Sequence, residues 1–375
     1  MEPEAEMSAL KVRRPDYFEC FSCLAGKCPD TCCIGWEVVV DDESLERYGK
    51  MSGRLADKIK DVLEETDGEY NFRLNDGRCP FLRDDLLCEM QSEAGEEALC
   101  RTCRRFPRYQ ADYGALREEG LSLSCPEAAR LIKTAPRAAF AETDDPSLAV
   151  QPNDIDAGLY LTLTAARTAL IERAQDRSMP MPERLAACLL FAARLQKTLR
   201  SGGNAEKLIA VWKKEGPSEA DIAEIEATGS KRAQAGRALN RLLDAMDGME
   251  RLTDEWGDWL CKLRRDGAAS EKTGGAEDEY ENLFVYYLYR YFLEAVYDGN
   301  AYLRVKTAAV SVCLIERLHR AARAAGLEGQ TVRIDLAHLY SREIEHSQEN
   351  LDALAALLKD VNMGGARRLV PLLLS

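Results

Sequence analysis

Cysteine is the residue type with the clearest chemical potential in this sequence, because ten of its thirteen cysteines lie within residues 20–125. The first five follow the spacing C-x2-C-x4-C-x3-C-C over residues 20–33, and the other five are Cys79, Cys88, Cys100, Cys103 and Cys125. Thiolates two to four residues apart can converge on one metal ion, and distant pairs can complete its shell, as in four-cysteine zinc sites and iron–sulfur clusters. The spacing therefore predicts metal binding, with buried free thiols as the plainer alternative.

The ligand type narrows the choice of metal. No histidine precedes His319, so a site here would be all-sulfur unless a carboxylate or a distant residue joins it, and soft ligands favour zinc or iron–sulfur over magnesium or calcium. Disulfides fit less well, because the number of cysteines is odd and the N-terminus has no apolar signal-peptide core. The neighbours Cys32 and Cys33 would bridge only with strain, so we expect them to serve different metal sites or different faces of one cluster.

Four arginines crowd the segment around two of these cysteines: Arg101, Arg104, Arg105 and Arg108. A metal held by four thiolates carries negative charge, and a buried charge needs paired partners. The arginines could supply these partners, or they could form a solvated basic turn that pairs with surface carboxylates. The sequence leaves both interpretations open.

An aromatic stripe recurs at helical spacing at Tyr280, Phe284, Tyr287 and Tyr291. This spacing favours a buried helix face in the core. Aromatic faces and phenolic oxygens also suit a cation, so the alternative is that part of the stripe lines a substrate pocket with Glu281 or Arg290. The three histidines lack metal-ligand spacing and are predicted to be structural.

The elements that must position these residues divide the chain into two regions. Residues 1–140 are a mosaic of cysteine-rich loops, an apparent strand at residues 38–40, amphipathic stretches within 44–65, and turn signals at 67–68 and 75–77. Because this region offers little apolar core, we expect a metal to stabilise it. Residues 141–156 are polar, contain two prolines and are predicted to be a linker, and residues 270–276 a mobile loop.

Residues 157–375 show helical periodicity throughout, with roughly eight to ten helices. The clearest span residues 157–176, 182–200, 222–226 with extension to either side, 234–249, 279–297, 301–325 and 336–358, the last with breaks. The predicted fold class is therefore mainly α: a cysteine-rich, metal-stabilised N-terminal unit with little β structure (1–140), a linker (141–156) and an all-α helical domain (157–375).

Composition excludes several classes of protein. The chain has 375 residues, 46% of them apolar and 30% charged, as in ordinary soluble domains. Its net charge of −14 would repel phosphate backbones, so a nucleic-acid partner is not expected. No apolar stretch approaches the roughly 20 residues of a membrane helix, so we expect a cytoplasmic protein without a membrane partner.

Four motifs together resemble the flagellin lysine-N-methylases. They are FSCLAGKCPDTCCIGW at residues 21–36, GRCPFL with the following Cys88, RTCRRFPR at 101–108 and SLSCPE at 122–127. More weakly, ENLFVYY at 281–287 with Arg290 is similar to the family's C-terminal helical motif. The family pattern matches Cys23, Cys28, Cys32, Cys33, Cys79, Cys88, Cys103 and Cys125, whereas Cys20 and Cys100 look like local additions.

The resemblance implies a cytoplasmic protein-lysine methyltransferase that modifies flagellin with S-adenosylmethionine as donor. It also implies an iron–sulfur cluster, 4Fe–4S, held by the eight matched cysteines, with zinc as the alternative metal. The glycine-rich donor turn of common methyltransferases is missing, so we expect another donor architecture, at the junction of the two regions. The sequence assigns no catalytic base and no donor-binding residue.

Two interpretations from other classes remain open. The cysteine-rich region could be a zinc or iron–sulfur module that docks the helical region onto a protein partner without transfer chemistry. It could also hold a labile cluster in a redox sensor. Protein that contains iron and sulfide would exclude a zinc-only module. Binding of S-adenosylmethionine would distinguish a methylase from a redox sensor.

Overall fold

The computed structural model describes residues 9–66, 68–150, 154–228, 231–266, 276–360 and 363–375. The predicted loop at 270–276 falls outside these ranges except for its last residue.

Within its described residues, the N-terminal region contains two sheets and five α-helices. Its strands are β1 (Ala9–Pro15), β2 (Val39–Val40), β3 (Leu63–Thr66), β4 (Glu69–Phe72), β5 (Arg108–Tyr113), β6 (Leu116–Leu121) and β7 (Phe140–Ala149). Its helices are α1 (Asp42–Lys50), α2 (Arg54–Val62), α3 (Glu89–Ala94), α4 (Arg101–Arg105) and α5 (Pro126–Thr134). One sheet has the strand order β5-β6-β1-β7, with β1 and β6 parallel, and the other has the order β2-β4-β3.

The structure confirms the mainly helical fold class in its coarse form and adds detail on the β structure. The N-terminal region contains two small sheets, which organise it. The segment interpreted as a polar linker contributes most of β7, which pairs antiparallel with β1 along its length. This strand lies at the edge of its sheet, and its charged and polar side chains are mostly exposed. Its composition therefore resembles that of a loop.

Local chemistry explains where the small N-terminal elements begin and end. The side chain of Asp41 accepts a hydrogen bond from the backbone of Ser44 at 3.1 Å and so caps α1. The turn predicted at residues 75–77 is present, with φ of 49° at Asp76 and 73° at Gly77. Such positive φ values favour Asn, Asp and Gly, which is why this turn was visible in the sequence.

The C-terminal region is helical, as the periodicity predicted. Its helices are α6 (Ala157–Ala174), α7 (Met181–Arg200), α8 (Ala205–Glu215), α9 (Glu219–Thr228), α10 (Arg232–Asp247), α11 (Asp254–Asp266), α12 (Glu277–Tyr291), α13 (Ala295–Asp298), α14 (Ala301–Ala324), α15 (Gln330–Glu345), α16 (Gln348–Lys359) and α17 (Ala366–Leu374). The sequence analysis did not single out α8, α11 or α17. The predicted helix over 336–358 is two helices that meet at Ser347, whose side chain caps α16.

The buried residues form two clusters that do not follow the predicted domain boundary. The larger one is built on the C-terminal helices and also takes in residues of β6 and α5, such as Leu121 and Ile132. The smaller one lies among β2, β4, α1 and α2 and includes Phe72, Phe81 and Cys100. The cysteine-rich loops therefore surround a small core of their own.

Buried ion pairs join the N-terminal sheet to the helices. Glu118 on β6 pairs with Arg167 on α6, and each side chain is 3% exposed. Lys133 on α5 lies 3.1 Å from Glu279 on α12. A buried charge that loses its partner strongly destabilises the fold. These pairs therefore favour one orientation of the N-terminal region against the C-terminal helices.

Among the described residues, no helix has both the length and the apolar character that crossing a membrane requires.

Candidate functional site

Four thiols lie together around Cys33. The backbone of Cys79 donates to the carbonyl of Cys33 at 2.8 Å, which brings the two predicted cysteine groups side by side. The thiol of Cys33 exchanges hydrogen bonds with Cys32, Cys79 and Cys88. These contacts bring together residues separated by up to 56 positions in sequence.

The mutual contacts perturb the thiol pKa values in opposite directions. The hydrogen bond with Cys33 lowers the pKa of Cys88 to about 6 and also lowers the pKa of Cys79. The hydrogen bond with Cys33 and burial raise the pKa of Cys32. For Cys33, the hydrogen bond with Cys32 lowers the pKa, but those with Cys79 and Cys88, together with burial, raise it overall. Neighbouring thiols that titrate as one group produce such a split.

A second pair of thiols adjoins this group. Cys100 is 1% exposed and hydrogen-bonds to Cys103, which lowers the pKa of Cys100 and raises that of Cys103. The charges of Cys33 and Cys79 raise the pKa of Cys103 further, so the pair is close to the first four thiols. Cys100, interpreted from sequence as a local addition, therefore lies among the matched cysteines.

The three remaining matched cysteines form a separate neighbourhood. Burial raises the pKa of Cys125 to about 12, and the charges of Cys28 and Cys23 raise it in the same direction. Cys125 directly precedes α5, whereas Cys23 and Cys28 flank a short 3-10 turn at Ala25–Lys27. The charges of Cys23 and Cys32 also raise the pKa of Cys28, which places Cys28 between the two neighbourhoods.

The thiols match a soft metal in chemistry, but their arrangement is not that of a formed site. Within the residues that the structure describes, no group of three or more His, Cys, Asp or Glu side chains has metal-site geometry. The thiols are thus close neighbours without being a coordination shell. The donor set is all-sulfur, which fits the zinc or iron–sulfur chemistry expected from the sequence.

The described contacts of the four arginines are with groups other than the thiols. Arg104 lies 3.5 Å from Glu97, and Arg105 hydrogen-bonds to Gln110. The guanidinium of Arg108 lies over the ring of Phe21, 4.9 Å from its centre. These contacts favour the interpretation of the segment as a basic surface turn.

The cysteine-rich loops dock onto α15 through Asp30. Its carboxylate lies 2.7 Å from Nε2 of His338 and also pairs with Arg342. Burial raises the pKa of Asp30, but the hydrogen bonds from His338 and Arg342 outweigh this and hold the pKa below its usual range. Arg342 also donates to the carbonyl of Ile34 at 2.9 Å. The loop that carries Cys28, Cys32 and Cys33 is therefore fastened to the helical region.

Three rings meet beside this contact and form what we call the aromatic junction: Trp36, Phe106 and His346. Their ring centres are 5.4 to 5.8 Å apart. The indole nitrogen of Trp36 donates to the carbonyl of Cys32 at 2.7 Å, which ties the junction to the thiols. Burial, together with the charges of Arg290 and Arg342, lowers the pKa of His346 to about 4. Its imidazole is therefore neutral at pH 7 and adds no positive charge to the junction.

A buried carboxylate lies next to His346 in the chain. Glu345 accepts hydrogen bonds from the hydroxyls of Tyr286, Tyr287 and Tyr291 at 2.8, 3.1 and 2.6 Å. Arg290 donates to the hydroxyl of Tyr286 at 3.0 Å. The aromatic stripe predicted from sequence is thus core, and the hydroxyls of its members Tyr287 and Tyr291 share one carboxylate. A buried polar network lowers the stability of the fold unless every member has a hydrogen-bond partner. When all members are paired, the network holds them in one geometry.

Sequence analysis missed the part that α15 plays at this site. His338, Arg342 and His346 recur every four residues, so they share one helix face, and that face meets the cysteine-rich loops. The i, i+4, i+8 spacing was a usable signal. Glu281, proposed from sequence as a pocket residue, instead pairs with Arg184 at 2.6 Å and is buried.

Comparison with known proteins places these features in a family. Residues 167–372 match the family described as the FliB lysine N-methylase C-terminal domain. The flagellar biosynthetic protein FliU of Salmonella muenchen is 32% identical over 139 residues, which cover 35% of this chain and 82% of that protein. A lysine-N-methylase of Salmonella typhimurium is also 32% identical over 139 residues, covering 35% of each chain.

The chain thus matches about a third of the length of that lysine-N-methylase. No solved structure matches the chain. The family match covers most of the helical region, from α6 to α17, and more than half of the 375 residues. This confirms the resemblance seen in the sequence motifs: the chain belongs to the FliB family of protein-lysine N-methyltransferases.

Proposed function

We propose that this protein transfers methyl groups from S-adenosylmethionine to lysine side chains of flagellin. The observation that carries the proposal is the match of residues 167–372 to a family defined by lysine N-methylation. The name of the relative FliU, a flagellar biosynthetic protein, supports a flagellar substrate. The cysteine motifs of the N-terminal region support the same family assignment independently of the helices.

The thiols would hold an iron–sulfur cluster or a zinc ion. The ligands would come from the group around Cys33, that is Cys32, Cys33, Cys79 and Cys88, with Cys100 and Cys103 beside them, and from Cys23, Cys28 and Cys125. When bound, the metal would supply folding free energy to loops whose own core is small, and an iron–sulfur cluster would add redox chemistry. The support for this part is the all-sulfur donor set and the mutual contacts of the thiols.

Methyl transfer to lysine requires a site that can hold two cationic groups, and the aromatic junction is a candidate for it. A lysine ε-ammonium must lose its proton before the nitrogen attacks; the nitrogen–methyl bond then forms while the methyl–sulfur bond breaks, and its electron pair remains on sulfur. Both the ammonium and the sulfonium are cations, and aromatic faces attract cations. Trp36 and Phe106 offer such faces.

The test is mass spectrometry of flagellin after anaerobic incubation with metal-replete protein and S-adenosylmethionine. We expect added methyl masses on lysine-containing peptides, and none when the donor is omitted. Protein that contains metal but adds no methyl group to flagellin would overturn the proposal. Binding of metal without donor binding or transfer would instead favour a cysteine-rich interaction module or redox sensor.

A further inference from the structure

Three arginines of α4 and the start of β5 have no carboxylate partner among the described residues. They are Arg101, Arg105 and Arg108, and we call them the arginine patch; the fourth arginine of this segment, Arg104, lies 3.5 Å from Glu97. The chain has 64 acidic side chains against 50 Lys and Arg, so carboxylate partners are abundant elsewhere. Three arginines without one, within eight residues, are therefore a distinct feature of this surface.

The sequence around the arginine patch keeps its charge positive. No Asp or Glu occurs between Leu99 and Ala111. One carboxylate does approach, because Asp41 accepts a hydrogen bond from the backbone N–H of Arg101 at 2.8 Å. The same carboxylate also accepts from the backbone and the hydroxyl of Ser44, so it serves the starts of two helices. The three guanidinium groups thus exceed the negative charge beside them.

The two patch residues of α4 lie on the other side of the helix from the thiols. Successive residues of an α-helix are about 100° apart around its axis, so the face of Arg101 and Arg105 is about 150° from the face of the two cysteines. Cys100 and Cys103 pack into the small core. Arg105 instead hydrogen-bonds to the exposed side chain of Gln110 on β5. This geometry leaves the charge of the patch to a group outside the chain.

The arginine patch borders the aromatic junction. Phe106, one ring of the junction, directly follows Arg105 and precedes Arg108 by two residues. The rings of Trp36 and Phe106 are partly exposed, so the junction is open to the same surface. An extended polypeptide advances about 3.3 Å per residue. Side chains a few positions away from a lysine in the junction are therefore within reach of the patch.

The strand β5 gives this surface an open backbone edge. It lies at the end of the strand order β5-β6-β1-β7, and no strand of the described chain pairs with its outer side. The carbonyl of Pro107 accepts a hydrogen bond from Ser122 at 2.8 Å, so the alternation of an antiparallel pair directs the backbone groups of Arg108 and Gln110 outwards. An extended segment can pair with such an edge while its side chains meet the arginines.

We propose that the arginine patch binds an acidic segment of the protein substrate, namely Asp or Glu side chains that flank the target lysine. These carboxylates would pair with Arg101, Arg105 and Arg108 while the lysine enters the aromatic junction. The inference rests on the proposed function, because it takes the junction as the place of the lysine, and it adds a preference for substrate sequence. Charge complementarity supports this occupant: a protein of net charge −14 repels most acidic polypeptides, so a local positive patch selects the segments that fit it.

The first test measures binding of fluorescein-labelled peptides by fluorescence anisotropy. Each peptide has one lysine, flanked on both sides by Glu, by Gln or by Arg. We expect the Glu-flanked peptide to bind most tightly. The double variant Arg101→Gln, Arg105→Gln should weaken its binding about five- to tenfold, the combined size of two exposed ion pairs, and leave binding of the Gln-flanked peptide unchanged.

A control and a charge reversal sharpen this test. Arg83→Gln changes an exposed arginine of the same region that pairs with Asp85 at 2.6 Å, and it should bind every peptide like the unmodified protein. The double variant Arg101→Glu, Arg105→Glu should bind the Arg-flanked peptide most tightly, because the sign of the patch is reversed. Thermal unfolding shows whether any variant has lost its fold.

Methylation of flagellin by the same variants supplies a second readout. The patch binds groups away from the reacting atoms, so Arg101→Gln with Arg105→Gln should raise KM for flagellin and leave kcat unchanged. Metal content should equal that of the unmodified protein. Loss of metal from this variant would show that the arginines serve the thiols and would overturn the proposal.

The outcomes separate this inference from the proposed function. If the unmodified protein methylates flagellin but binds the three peptides equally, or if the Gln double variant keeps the preference for Glu, the patch assignment is wrong and the proposed function stands. Tighter binding of a single-stranded oligonucleotide than of the Glu-flanked peptide would also overturn the patch assignment. If flagellin gains no methyl group, the proposed function fails, and with it the assignment of the patch to the segment around a target lysine.

Discussion

The carboxylate of Asp30 and the imidazole of His338 lie 2.7 Å apart, although 308 residues separate them in the sequence. This contact, with the adjoining pair to Arg342, fastens the loop of the first cysteine group to α15. Asp30 is partly exposed, with 31% of its side-chain surface accessible, so its hydrogen bonds contribute a moderate share of stability. The same helix carries His346 into the aromatic junction, so the docking contact also sets the geometry of the candidate site.

We expect Asp30→Asn to loosen the cysteine-rich loops from the helices. The loss of a charged partner should cost about 1 to 2 kcal/mol of unfolding free energy, because the remaining amide pairs more weakly with His338 and Arg342. Limited proteolysis should show faster cleavage within residues 20–36. Asp84→Asn, an exposed aspartate of the same region, is the control, and equal proteolysis of both variants would contradict the docking role.

The tyrosine network on Glu345 gives a second prediction. Glu345→Ala should lower the free energy of unfolding by about 3 to 5 kcal/mol, because it leaves Arg290 and three buried hydroxyls without their acceptor. Tyr291→Phe, which removes one hydrogen bond, should cost about 1 kcal/mol. Urea unfolding measures both.

The exposed Tyr297 provides the matched control for this network. It is 67% exposed and its hydroxyl lies 3.5 Å from the carbonyl of Asp112, so Tyr297→Phe should be nearly neutral. If Tyr291→Phe proves as harmless as Tyr297→Phe, the network contributes nothing to stability.

The buried pair of Lys133 and Glu279 predicts a pH dependence of stability. Burial raises the pKa of Glu279, but the hydrogen bond from Arg333 and the charge of Lys133 lower it overall. Because the folded-state pKa lies below the unfolded value of roughly 4.3, the ionised carboxylate stabilises the fold at neutral pH. This contribution is lost as the pH falls below the unfolded value and through the folded one.

Glu279→Gln should therefore destabilise the protein by about 3 kcal/mol at pH 7, since it leaves Lys133 buried without its charge partner. The difference from the unmodified protein should shrink as the pH is lowered below 4. Glu206→Gln, an exposed glutamate in the first turn of α8 as Glu279 is in that of α12, is the control. A difference that stays constant as the pH falls from 7 to well below 4 would contradict the assignment.

Metal content after single cysteine replacements tests the candidate ligands. We expect Cys33→Ser and Cys103→Ser to lower bound metal and stability, because a metal held only by the folded loops stabilises them. We expect Cys188→Ala, Cys261→Ala and Cys313→Ala to retain metal, with ordinary packing costs at the buried positions Cys188 and Cys313. Anaerobic purification followed by iron, zinc and sulfide analysis is the measurement. Metal loss in Cys313→Ala with retention in Cys103→Ser would reverse the assignment.

The sequence and the structure assign different roles to Cys100. The sequence pattern treats Cys20 and Cys100 alike, as local additions. The structure buries Cys100 against Cys103 and leaves Cys20 exposed. Cys100→Ser should therefore reduce metal content or stability, whereas Cys20→Ser should do so little; equal effects would contradict the structural distinction.

The helical region could be predicted from sequence because its apolar residues recur with helical periodicity. The predicted helix over 301–325 agrees with α14 (Ala301–Ala324), because its apolar residues recur at three and four and the side chain of Asn300 caps its start. Short or polar elements gave weaker signals. The strand β7 was taken for a linker, because an edge strand rich in Asp and Glu has the composition of a loop and is held by pairing with β1, a partner 130 residues away.

The sequence by itself determined the family, the cysteine motifs and the helical character of the C-terminal region, because each is encoded in residue types at short spacing. Only the tertiary structure decided which thiols are neighbours, that Cys100 joins them, and that His338 and Arg342 on α15, with His346 directly after it, face the cysteine-rich loops. It also decided that Glu345 receives three tyrosine hydroxyls. The physical reason is that these relationships join residues far apart in the chain, and such contacts depend on how the elements pack.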